Sequence, residues 1–183
     1  MATGGIGGVH QDFTRLHDVS SDLLALARYP VAVVCAGVKS ILDIPATLEH
    51  LETLGVPVIG YKTSKLPLFH ARESIYDLEI HTDSMEEIAR IAKAHWSIGG
   101  RGVLVVTPVP REHAIDANEL QEWIAAAHRA AQVGRVSGKA VTPYLLKKLE
   151  ELSQGRSLTS NVALLRNNAH AGALLARELV ALA

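Results

Sequence analysis

Lys39 is the residue best suited to covalent chemistry. It lies two positions after Gly37, just past the apolar run Val31-Ala32-Val33-Val34-Cys35-Ala36. Ligands of open α/β sheets gather beyond the C-terminal ends of strands. A lysine amine flanked there by Cys35, Ala36 and Val38, and kept from bulk water, can attack a sugar aldehyde and form a Schiff base. The opposing reading is a lysine that swings out to solvent, as most do. Asp18-Val19-Ser20-Ser21-Asp22 sets two carboxylates four residues apart with two hydroxyls between them, oxygen donors suited to Mg2+ or Mn2+. The same stretch also reads as a helix start, with Ser20 or Ser21 capping Leu23-Leu24-Ala25-Leu26.

Thr3-Gly4-Gly5-Ile6-Gly7-Gly8-Val9-His10 holds four glycines within five positions. Glycine lets backbone N–H groups approach a phosphate or carboxylate, and Thr3 adds a hydroxyl; a flexible leading tail is the alternative. His10 reads as an acid, a base or a surface histidine. Near the other end, Asn161, Asn167 and Asn168 lie in an Ala/Leu-rich segment despite their poor helix propensity. Asn161 reads as the start of that helix, where free N–H groups favour anions. Hydrogen bonding between helices explains Asn167 and Asn168 equally well.

The elements that must carry these residues alternate. Val31–Ala36, Val56–Gly60 and Gly102–Thr107 read as buried strands. Asp43 caps a helix to about Leu54, with Pro45 in its first turn. Residues 62–82 read as loop with a short strand near Tyr76–Ile80. Ser84 and Glu87 form a capping box for a helix to about Ser97, and a further helix spans Asn118–Gln132. Thr142-Pro143 reads as cap and first position of the next helix, and the last helix starts after Thr159 or Ser160. Strand–helix alternation implies an α/β fold, α/β/α layered, with a mostly parallel sheet, in a single domain over residues 1–183.

Composition narrows the function classes. The 183 residues are 48% hydrophobic and 4% aromatic, which fits a globular α/β interior rather than a disordered chain. A formal net charge of −1 provides no basic field for nucleic acid or an anionic membrane. Cys35 is the only cysteine, which excludes an internal disulfide framework and a Cys-rich zinc site. No apolar run approaches the ~20 residues of a membrane span, and no signal-peptide pattern is present, so a cytoplasmic location is expected.

Taken together, the motifs resemble the pseudouridine-5′-phosphate glycosidase family, also called indigoidine synthase A-like. The resemblance rests on Ala2–His10, Asp18–Leu23 and Val33–Asp43. It continues through Thr47-Leu48-Glu49, Gly55-Val56-Pro57-Val58, Gly138–Pro143, Asn161–Leu164 and Asn167-Asn168-Ala169. Ser21 departs from the family's usual Ala, Gln11-Asp12-Phe13 from Arg-Gly-Ala, and Ser74-Ile75 from Ser-Gly.

The resemblance implies a Mn2+-dependent enzyme that reversibly cleaves the C–C glycosidic bond of pseudouridine 5′-phosphate to uracil and ribose 5-phosphate. It implies Lys39 as the imine-forming catalytic residue and Asp18 as the metal ligand, with water completing the shell. Ser20, Ser21 and Asp22 fall on the substrate-contacting segment. Thr3 and Asn161 fall at positions that bind the phosphate or sugar, and His10 at one that faces the base or sugar. A homotrimer is also implied.

Full family members supply a proton-donating Glu and a phosphate-binding Lys from a segment ahead of the Ala-Thr-Gly-Gly motif. Neither finds a match in residues 1–183. The expectation is therefore the C-terminal part of a family member, lacking N-terminal strands and helices, with an exposed sheet edge, a poorly ordered Gly-rich terminus and weak or no turnover alone. The alternative function is a catalytically impaired remnant, or one subunit of a split enzyme with a complementing N-terminal chain, that retains metal and sugar-phosphate binding. A different Schiff-base lyase on a similar fold is a third reading.

Overall fold

A computed structural model describes residues 1–11 and 18–182. Asp12 and Phe13, part of one departure from the family pattern, lie outside the described residues. Four strands form one parallel sheet: β1 (Ala32–Cys35), β2 (Val58–Tyr61), β3 (Ile80–Thr82) and β4 (Val103–Val106), in the order β1-β4-β2-β3. β1 and β4 are buried along their whole length, as strands covered on both faces must be.

The helices are α1 (Ser21–Arg28), α2 (Ile44–Thr53), α3 (Met85–Ser97), α4 (Ala117–Val133), α5 (Val141–Leu152) and α6 (Arg156–Ala181). Alternation along the strands sends side chains to two separate cores. Val33, Cys35, Leu104 and Val106 pack with Leu23 of α1, Leu51 of α2, Leu120 of α4 and Leu145 of α5. Val34, Ile59, Val103 and Val105 pack with Ile88 of α3 and Leu175 of α6. The architecture is thus α/β/α, as the alternation of elements implies.

Local chemistry explains most boundaries. The Asp43 carboxylate accepts from Ala46 N–H at 3.0 Å, and Pro45 sits in the first turn of α2, where its missing donor costs nothing. Ser84 Oγ accepts from Glu87 N–H at 3.2 Å. Only that half of the capping box forms, because the Glu87 carboxylate takes the Thr82 hydroxyl instead.

Other expectations need correction. The third strand lies at Ile80–Thr82, C-terminal to the expected Tyr76–Ile80, since pairing with Ile59–Tyr61 of β2 sets its register. Thr142 is not a cap: a 3-10 turn at Gly138–Ala140 leads straight into α5, whose N-cap is Ala140. α6 begins at Arg156, ahead of Thr159 and Ser160, because Gly155 adopts a left-handed conformation (φ +82) and starts the helix early. Asn161 is therefore more than a turn inside α6, and the free N–H groups of the helix start are not beside it.

The Gly-rich N-terminus is neither a tail nor an exposed loop. Residues 1–6 run parallel to β1 and cover its outer edge. Thr3 N–H donates to Val34 O at 3.0 Å, Ala36 N–H to Gly4 O at 2.8 Å and Lys39 N–H to Ile6 O at 3.1 Å. Residues 4–9 are buried. Close packing accounts for the glycines: a Cβ on Gly5 would lie 2.5 Å from the Phe69 ring, and one on Gly8 2.3 Å from Thr47 Oγ1.

Candidate functional site

Lys39 sits where the parallel sheet ends. A cavity of about 420 Å³ opens there, lined by Thr3, Gly4, Gly5, Lys39, Phe69, His70 and Asn161, with Lys147 and Glu150 of α5. Three residues singled out from sequence, Thr3, Lys39 and Asn161, thus face one space. They come from the N-terminal segment, the end of β1 and the second turn of α6, so only the folded chain unites them. Lys39 is half-buried, short of the dry setting its apolar neighbours suggested.

The backbone beneath the cavity is tightly built. Gly37 has φ +89, and a Cβ there would lie 2.1 Å from Pro67 O. This close approach lets Phe69 N–H donate to Ala36 O at 2.9 Å and brings the 67–70 loop over the strand end. Asn168, fully buried, donates its amide to Thr3 O at 2.8 Å and Gly4 O at 3.1 Å. Asn167 donates to Pro108 O at 3.2 Å. The paired amides therefore tie α6 to the N-terminal segment and to the loop after β4.

The other named residues form a second group around the 7–10 turn. His10 Nε2 lies 3.8 Å from Asp18 Oδ2, with side-chain exposures of 18% and 42%. Ser20 caps α1, its Oγ accepting from Asp22 N–H at 3.2 Å, so the capping reading of this segment is correct. The Asp22 carboxylate accepts from Gly7 N–H at 2.7 Å. Ser21, first residue of α1, is exposed. Hydrogen bonding within the fold takes up much of the glycine tract and leaves the anion-binding reading to Thr3, Gly4 and Gly5. The N–H groups of Ile6, Gly7, Val9 and His10 already serve Gly37 O, Asp22 Oδ2, Thr47 Oγ1 and Asp18 O. Only Thr3, Gly4 and Gly5 of the tract line the cavity.

The family model described as indigoidine synthase A like protein matches residues 1–178. The chain belongs to the indigoidine synthase A-like family. A pseudouridine-5′-phosphate glycosidase of Sorangium cellulosum is 50% identical over 176 residues, 96% of this chain and 56% of the relative. One of Geobacillus kaustophilus is 48% identical over 180 residues, 98% of this chain and 60% of the relative. The chain therefore spans less than two thirds of the length of these curated relatives. Among solved structures, the prealnumycin C-glycosynthase AlnA in complex with ribulose 5-phosphate superposes with a TM-score of 0.93 at 37% identity, covering 99% of this chain and 60% of that one. An indigoidine synthase A-like protein of Thermotoga maritima gives 0.83 at 38% identity, covering 95% and 57%.

Sequence reasoning about this family member missed His70. The ring is 2% exposed, its Nδ1 lies 3.2 Å from Ser160 Oγ, and burial lowers its pKa from 6.5 to about 4. No local motif marks it, because its partner lies 90 residues away. Burial pushes the Cys35 thiol up to about 12, so this cysteine is inert packing. No helix among the described residues is long and apolar enough to cross a membrane.

Proposed function

We propose that this chain carries the imine centre of a pseudouridine-5′-phosphate glycosidase, which reversibly cleaves the C–C glycosidic bond to give uracil and ribose 5-phosphate. One observation carries the reading: Lys39, Thr3 and Asn161 line one cavity at the C-terminal rim of a parallel sheet. The names of the relatives supply the reaction, and the ribulose 5-phosphate complex of AlnA supports a phosphorylated pentose as occupant.

The chemistry is easiest to follow towards synthesis. The Lys39 amine adds to the C1 aldehyde of open-chain ribose 5-phosphate and loses water, giving an imine. The C5 carbon of uracil supplies the electron pair for the new bond to that imine carbon and then releases its proton. The sugar 4-hydroxyl closes on C1 and displaces the lysine amine. In cleavage the order reverses: the pair of the C–C bond returns to uracil C5, which takes up a proton, and water hydrolyses the imine. Lys39 is needed because a carbon-bound uracil offers no heteroatom to leave with the electrons. Thr3 and Asn161 orient the sugar phosphate, and Ser20, Ser21, Asp22 and His10 contact substrate from the adjoining turn.

Asp18 would hold Mn2+. Its half-exposed carboxylate is the right donor for a hard cation. Among the described residues no cluster of three or more such side chains exists, so water or substrate would complete the shell. The bound ion would supply electrostatic stabilisation of substrate oxygens. A homotrimer belongs to the same proposal.

The test is borohydride reduction in the presence of ribose 5-phosphate, read by intact mass and peptide mapping. An adduct on Lys39, absent from Lys39→Ala, is the expected outcome. An unmodified Lys39 under conditions where ribose 5-phosphate binds would end the imine reading.

A further inference from the structure

His70 is a buried histidine that the proposed chemistry does not yet use, although its ring lies in the wall of the Lys39 cavity. Its surroundings fix it closely. Nδ1 meets Ser160 Oγ at 3.2 Å, and the backbone carbonyl accepts from Ile115 N–H at 2.9 Å. Its ring stands edge-on to Phe69, with centroids 4.6 Å apart. Phe69 itself has φ +60, a strained conformation for a bulky residue.

The second ring nitrogen is the informative atom. Among the described residues no protein group bonds to Nε2. The buried side-chain polar atoms without a partner are His95 Nε2 and Asn168 Oδ1, so His70 Nε2 is not one of them. An atom neither bonded nor sealed off, on a ring that lines a cavity, opens onto that cavity. Ser160 is 1% exposed, and its hydroxyl, 3.2 Å from Nδ1, is able to donate to that nitrogen. In that arrangement Nε2 carries the hydrogen.

We infer that His70 is a substrate-contacting residue, its Nε2–H donating a hydrogen bond to an oxygen of the phosphorylated sugar held over Lys39, with Ser160 positioning the ring. Burial keeps the imidazole neutral near pH 7, so the contact adds a directed donor without adding charge to a cavity already lined by Lys39, Lys147 and Glu150. This inference rests on the sugar-phosphate reading above, and its test separates the two.

The discriminating pair is His70→Gln and His70→Asn in the full 183-residue chain. A Gln amide reaches the place of Nε2, whereas an Asn amide reaches the place of Nδ1. Ribose 5-phosphate binding is expected to weaken roughly tenfold in His70→Asn and to stay within about threefold of wild type in His70→Gln. The opposite order, with Asn intact and Gln weak, would show that the ring is only an anchor for Ser160 and would overturn the inference. Should either variant fail to fold, nitrogen-15 histidine spectra of the wild type decide. The Nε2–H signal of His70 moves on adding ribose 5-phosphate if the contact exists, and stays put if it does not. A moved signal without any borohydride adduct supports the contact and sinks the imine. An adduct with an unmoved signal does the reverse. Absence of ribose 5-phosphate binding up to millimolar levels overturns both.

Discussion

The two groups of site residues are built by opposite means. The cavity wall joins Thr3, Lys39, His70 and Asn161 from four distant segments, and buried polar bonds hold it: Asn168 to Thr3 O and Gly4 O, His70 to Ser160. The second group brings His10 together with Asp18 and Asp22, residues near in sequence, and solvent reaches the Asp18 carboxylate, which is 42% exposed. A covalent centre benefits from the first design, since an imine carbon must be presented to its partner in a fixed position. The proposed metal shell, completed by water, would suit the second, because a hard cation needs solvent access to keep its waters. The contrast predicts that mutations in the wall act through stability and geometry together, whereas those in the turn act mainly on local capping and charge.

The largest difference is expected between two glycines. Gly37→Ala combines a strained positive φ with a Cβ 2.1 Å from the Pro67 carbonyl, a backbone atom that cannot rotate away. Strain and overpacking together should cost about 4 kcal/mol, read as a lowered denaturant midpoint. Gly7→Ala also meets a neighbour, Ser20 Oγ at 2.2 Å and Cβ at 2.5 Å, but these are side-chain atoms of the α1 N-cap and not backbone. Displacing it should cost about 2 kcal/mol. Equal losses would erase the distinction between wall and turn.

A smaller effect comes with acid. His70 has its pKa lowered to about 4 in the folded chain, against 6.5 for the ordinary residue. Above about pH 6.5 neither state binds the proton and stability is indifferent to this group. Between pH 6.5 and pH 4 the unfolded chain takes up a proton that the folded chain refuses. Stability therefore falls as pH falls, by up to about 3 kcal/mol at the lower limit. Denaturant titrations at pH 7, 5.5 and 4.5, with His70→Gln as reference, check this. The substituted chain should lose less stability over that interval, and matching slopes would mean that the wall opens to water before the rest of the molecule.

How legible each part was in the sequence follows from the range of its contacts. α2 announces itself through Asp43 and Pro45, and α3 through Ser84, because capping acts within three residues. Lys39 stood out because an apolar strand ends just before it. Register and long-range pairing left weaker traces. β3 is displaced because its place depends on β2, and α6 starts early because Gly155 takes a left-handed conformation that carries no side-chain signal. The glycine tract carries two readings, an anion loop and close packing, because both call for the same residue, and its contacts with Phe69 and Thr47 are visible only in the fold. His70 was invisible, being one histidine of nine whose meaning depends on Ser160 across the fold.

The least effect is expected at Ser20. Its hydroxyl supplies the cap of α1, accepting from Asp22 N–H at 3.2 Å, while the Asp22 carboxylate accepts from Gly7 N–H at 2.7 Å. Ser20→Ala keeps the Cβ that packs against Gly7 and removes only the cap, so stability should drop by about 1 kcal/mol. Thermal or denaturant unfolding measures this directly. A loss above about 2 kcal/mol would exceed what one exposed cap contributes. It would mean that the 7–10 turn is held as rigidly as the cavity wall, and that the Lys39 cavity and the Asp18 group share one mechanical framework rather than two.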